Sequence, residues 1–206
     1  MATTPETPTS VRELNTPAAL ELAELTAVLD DLHTVLRCCE RLLADLARQE
    51  PDDLVIEALW STALLSYNRC FTTDVRSAAL TEADLEATSL RGEVTEWHAV
   101  LGKLCEHYTN PAANPRERFS VGAARDEHGA ASGIAITSIP QPRLDETTVQ
   151  QTGALAYQLT QQVERRIAER QAQVHAATAA LTSAELDQLP RIDLTAAEHG
   201  PGLADG

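Results

Sequence analysis

Cys105, Glu106 and His107 stand side by side near the end of an apolar repeat, and they are the densest group of chemically capable side chains in the sequence. Cys38, Cys39, His33 and His98 lie on or beside other apolar helix faces. A zinc site needs short paired spacings, because ligands from one tight turn must converge on a tetrahedral ion. Residues two apart on a helix point about 200° away from each other, so Cys105 and His107 cannot share a metal. No metal and no cofactor is expected. His98 and His107 are nine apart, roughly 180° around a helix, and do not form an acid–base pair. His107, in the last turn, reads as a terminal capping residue favoured by the helix dipole. His98, beside Trp97, reads as a hydrogen-bonded boundary residue. The sequence contains no Gly-rich phosphate loop ending in Lys-Ser or Lys-Thr, no His-Glu-x-x-His and no Gly-x-Ser-x-Gly.

The elements that must position these groups are helices. Of the 206 residues 43% are apolar, yet only two Trp, three Tyr and two Phe are among them. A core of Leu, Val and Ala suits packed helices better than a sandwich, so the fold class expected is mainly α. After a Thr- and Pro-rich arm over residues 1–15, Thr16-Pro17 opens a helix by cap and first-turn proline. Leu22, Leu25, Leu29, Leu32, Leu36, Cys39, Leu43 and Leu46 alternate steps of three and four along it, and Val28, Val35 and Leu42 widen the stripe. A second helix over about 51–71, apolar on most sides, is expected in the middle of the bundle. Thr81 and Asp84 make a capping box for a short third helix. Val94, Trp97, Leu101, Leu104 and Tyr108 give a fourth over 93–108.

Asn110-Pro111 and Asn114-Pro115 then change the period. Two short β-prone runs predict a hairpin at about 118–139, and Asp145 caps a long fifth helix over about 146–181. A single bundle domain is thus expected over residues 16–190, followed by a loose tail over 191–206.

The formal charge is −15, from 31 acidic and 16 basic side chains. Such a field repels nucleic-acid backbones and anionic membranes. Arg37, Arg41 and Arg48 on one helix, and Arg165, Arg166 and Arg170 on another, read as solvated faces paired to carboxylates. No run of 18 apolar residues and no basic, apolar leader is present, so a cytoplasmic protein with reduced core thiols is expected.

The run "EALWSTALLSYNRCF", a short capped helix, "EWHAVLGKLCEHYTNPAANPRERFSVG", a hairpin and a long helix together resemble a set of actinobacterial helical proteins. In those proteins the segment matching Cys105 to Pro111 carries an Arg with a His shortly after it, similar to the Arg-x(4–6)-His motif of the HEPN superfamily. The resemblance spans about residues 17–200 in outline, anchored by Asn114-Pro115-x-Glu117 and Val121-Gly122. It implies a helical bundle, frequently dimeric, in a superfamily where many members are metal-independent ribonucleases of toxin–antitoxin or antiphage systems. Aligned without gaps, however, Cys105 stands at the Arg position and Tyr108 and Pro111 at the two His positions. Cleavage needs a cation beside the scissile phosphate and an imidazole to move the 2′-hydroxyl proton; Cys, Tyr and Pro supply neither.

The function expected is therefore a non-catalytic, HEPN-like binding or regulatory module. It would be homodimeric through the first or fifth helix, with a protein partner favoured over nucleic acid. The alternative is an endoribonuclease in which His107 is recruited by a small shift and Arg69 supplies the charge from the neighbouring helix. Otherwise Arg69 would pair with a buried carboxylate such as Glu57 or Glu106.

Overall fold

A computed structural model describes residues 10–112, 114–140 and 142–192. The fold is mainly α. Its elements are β1 (Val11–Arg12), α1 (Pro17–Leu46), α2 (Asp53–Arg69), α3 (Glu82–Glu86), α4 (Val94–Thr109), β2 (Glu117–Arg125), β3 (Ala131–Pro140), α5 (Glu146–Ala179), α6 (Ser183–Gln188) and β4 (Arg191–Ile192). Each long helix starts where a side chain can take up a free backbone N–H. Thr16 accepts from Ala19 N, Asp52 from Leu54 N and Val55 N, and Asp145 from Thr148 N at 2.8 Å.

Helix α1, and not α2 as the apolar run of α2 suggests, occupies the middle of the bundle, packed between α2 and α5. Leu25, Val28, Leu32, Val35 and Leu42 have no exposed surface, and Cys38 and Cys39 are buried with them. The innermost line of the ladder is thus 25–28–32–35–39–42. Leu29, Leu36, Leu43 and Leu46 flank it half-buried. Because two neighbours cover α1, the stripe is wider than a two-helix seam and is satisfied inside one chain. Its width therefore carries no requirement for a dimer through α1. Helix α2, on which α1 and α4 are the helices that pack most, buries Trp60, Ala63, Leu64, Ser66 and Tyr67 but leaves Leu54 and Leu65 exposed.

Helix α5 runs antiparallel to α1, with Gly153 beside Cys39 and Arg170 bonded to Glu21 at 2.6 Å. Its buried stripe, Val149, Leu155, Ala156, Leu159 and Val163, ends near Val163, and only Ile167 continues it half-buried. Beyond that point α5 is mostly exposed and the Arg170–Glu21 pair ties it to the start of α1. The two arginine groups are largely paired as expected: Arg41 and Arg48 share the buried Asp45, and Arg166 meets Asp84.

Residues 11–13 and 191–192 depart from the loose arm and tail expected for the two ends. Val11 pairs with Ile192 and Arg12 with Arg191, while Arg12 reaches Leu189 O and Asp187. The rest of the expected arm and tail, residues 1–9 and 193–206, lies outside the described residues. The hairpin forms where the β-prone runs predict it, as a two-stranded antiparallel sheet with Val121 opposite Ile136. Its turn is held by Asp126, whose carboxylate accepts from His128 N and Ala130 N. Gly129 follows at φ +84°, a region glycine adopts without strain. Among the described residues no helix is long and apolar enough to cross a membrane.

Candidate functional site

The two Asn-Pro dipeptides act as a pair of turns. Asn110 caps α4 and its side-chain carbonyl accepts from Ala112 N; Asn114 accepts from Arg116 N and Glu117 N and so launches β2. This geometry brings the end of α4, the start of α2 and the foot of the hairpin around one cleft of about 520 Å³. Leu46, Ile56, Trp60, Tyr108, Pro115 and Leu144 line it. Arg116 Nε donates to Glu57 at 2.6 Å across its wall, and Arg143 lies 3.6 Å from Asp53 at its rim. Burial, reinforced by the Glu57 carboxylate, holds the Tyr108 phenol above its usual pKa. Tyr108 is thus a hydroxyl that keeps its proton and does not serve as a base.

His107 is half-buried at the outer end of α4, its ring edge-on to Tyr108 at 5.9 Å. Cys105 is buried in the core, and desolvation raises its thiol pKa. Cys39 and Cys70 are pushed up to about 12 by burial. All four cysteines are free and buried, so none offers a thiolate nucleophile near neutral pH. Among the described residues no group of three His, Cys, Asp or Glu could hold a metal ion.

Arg69 is elsewhere. Tyr67 and Phe71 of the α2 end contact His98, with Tyr67 Oη 2.9 Å from His98 Nδ1 and the Phe71 and His98 rings 4.4 Å apart. At the opposite end Glu57 and Ile56 meet Tyr108. Helices α2 and α4 are therefore antiparallel, and the nine-residue step from His98 to His107 spans about 13–14 Å of axis. Arg69 sits past the Tyr67 end, so the structure does not bring Arg69 and His107 together.

The guanidinium of Arg69 turns to α1. Its Nε and Nη2 donate to Asp31 Oδ1 at 2.9 and 2.5 Å, and Nη2 also donates to Ser66 Oγ at 3.0 Å. Arg76 Nη1 donates to Asp31 Oδ2 at 3.0 Å. Hydrogen bonding and attraction to Asp31 raise the Arg69 pKa further above its ordinary value. The partner is Asp31, not the Glu57 or Glu106 that sequence reasoning offered. A signal for it was present: position 31 lies three after Val28 and four before Val35, so a carboxylate interrupts the buried stripe of α1 and must find cations.

Comparison of the chain with protein-family models, with curated proteins and with solved structures finds no match. The chemistry of the site therefore rests on its own geometry.

His98 is the titratable group this geometry perturbs most usefully. Burial lowers its pKa, and nearby Glu82 offsets this only in part. The neighbouring Tyr67 hydroxyl, whose own pKa burial raises, shares a hydrogen bond with Nδ1 of the imidazole. A histidine that binds its proton less tightly folded than unfolded favours the fold above pH about 6.5 and withdraws that contribution as pH falls below it. Wild-type protein is expected to lose urea resistance between pH 7.5 and 5.5, and His98→Gln, whose amide can still hydrogen-bond to the Tyr67 hydroxyl, to lose less. Equal losses in the two proteins would remove His98 as the cause.

Proposed function

We propose that the protein is a non-catalytic, HEPN-like helical module that acts by binding, with a protein partner and a second copy of itself as its expected company. The observation that carries this reading is the closure of Arg69 by Asp31 and Ser66 at the far end of α2 from His107. A phosphate-cleaving site needs its cation and its imidazole on one scissile bond. Here they are separated, and the motif positions hold a buried thiol, a protonated phenol and a proline. The cleft between α2, α4 and the hairpin foot supports a binding role, because aromatic and aliphatic walls with one ion pair across them suit a peptide-sized apolar contact. The excess of acidic side chains favours a protein partner over nucleic acid. A cytoplasmic location accompanies this reading.

Total RNA incubated with the purified protein in EDTA tests it. The expected result is RNA left intact by wild type and by His107→Ala alike. Cleavage by wild type that His107→Ala abolishes would establish the endoribonuclease instead.

A further inference from the structure

Side chains paired across an antiparallel ladder share one face of the sheet. In the β2–β3 register Phe119 lies opposite Ser138, Val121 opposite Ile136 and Ala123 opposite Ile134. One face of the hairpin is therefore an apolar block with Val121 and Ile136 at its centre. The other carries Arg118, Ser120, Gly122 and Thr137, with Ile139 as its large apolar residue. None of the apolar block is covered: Phe119 is 56% exposed, Val121 70%, Ile134 79% and Ile136 73%, and every residue of β3 is exposed. A two-stranded hairpin is marginal in water without something against its face, and a contiguous apolar surface of this kind marks a contact.

We infer that this face receives the same face of a second copy of the chain. Charge selects that occupant. Residues 118–125 and 131–140 contain no Asp or Glu, in a chain that has 31 of them and a net charge of −15. Two such chains repel wherever their carboxylates approach, and the strand stretch between Glu117 at the foot and Asp126-Glu127 in the turn is one on which they can meet without that repulsion. Nucleic acid needs a row of free cations. These strands hold only Arg118 and Arg125, and the Nε of Arg125 is given to Gly129 O.

Size matches as well. A twofold axis running across the strands through the Val121–Ile136 row stacks those residues on their own counterparts. It lays Phe119 over Ala123 of the second copy and Ile134 over its Ser138, so each large side chain meets a small one. The same axis sends the two acidic bundles to opposite ends, whereas an axis along the strands would set them side by side. The contact is isologous and closes as a dimer. Strands of nine and ten residues at about 3.4 Å each, two strands wide, give roughly 300 Å² per copy. Both copies together bury roughly 600 Å², below the about 1,200 Å² total at the small end of standard stable interfaces, so the dimer is reversible. This assigns a surface to the homodimer named above, in place of α1 or α5.

Sedimentation of the full chain over a range of concentrations tests the assignment. The mass is expected to rise from 22.2 kDa toward twice that value, while Ile136→Glu, at the exposed centre of the face, keeps the monomer mass with unchanged helical circular dichroism. Under mild oxidation Val121→Cys is expected to cross-link as a dimer, and Ser120→Cys, on the opposite face, is not. A constant monomer mass would overturn the assignment, as would equal cross-linking at the two positions or a monomer that instead binds anionic vesicles. A monomer without ribonuclease activity would overturn this surface alone and leave the non-catalytic reading standing.

Discussion

Leu32→Ala is expected to destabilise the protein by about 3–4 kcal/mol, the range for a leucine deleted from a core that cannot collapse around the gap. Leu32 has no exposed surface and sits in the middle of the innermost line of α1, the helix that packs against both α2 and α5. In a chain of this size each kcal/mol moves the melting temperature by about 2–4 °C, so a drop on the order of 10 °C should be measurable. Leu29, half-buried at the flank of the same helix, is expected to lose only about 1 kcal/mol on truncation. The pair of variants, compared by urea denaturation with unchanged slope, distinguishes the two lines of the ladder. Equal losses would show that the two lines of the ladder are equally buried.

Asp31→Ala is expected to cost about 2–3 kcal/mol. A carboxylate removed from a fully buried ion pair leaves about 3–5 kcal/mol of unpaired charge, and this is discounted because the Arg69 side chain is 55% exposed and water can take over part of its solvation. Arg69→Ala should cost about half as much or less, since Arg76 still donates to Asp31. The asymmetry identifies Asp31 as the hub that orders the α1–α2 junction. Reversed magnitudes would show that Arg69 is held by something other than this carboxylate.

The helices were legible because their signals are local. Thr16-Pro17, the Thr81/Asp84 box and Asp145 mark starts that the chain adopts, and the steps of three and four mark the buried faces. The hairpin was legible from two β-prone runs around "RDEHGA". The order of the helices in space was not. An apolar run such as that of α2 reports how much surface could be buried, but which helix is central depends on partners far away in sequence. α1 takes that place because α5, some 120 residues later, returns to cover it. The site was less legible. That Arg69 pairs with a buried carboxylate could be read from the sequence, while the identity of that partner depended on how α2 turns against α1, a rotation no spacing within α2 encodes. Trp60, Arg116 and Leu144, which build the cleft with Tyr108, come from α2 and from the segments before β2 and before α5, and share no linear motif.

The central claim is that Arg69 belongs to Asp31 and is independent of His107, and double-mutant cycles of stability test it most directly. Single and double alanine variants of Asp31 with Arg69, and of Arg69 with His107, would be unfolded in urea under identical conditions. The expected result is a coupling of about 1 kcal/mol or more for Asp31 and Arg69, with additivity within about 0.5 kcal/mol for Arg69 and His107, as befits residues on the order of 15 Å apart. Additivity in the first cycle together with coupling in the second would contradict the claim and return both residues to a shared site.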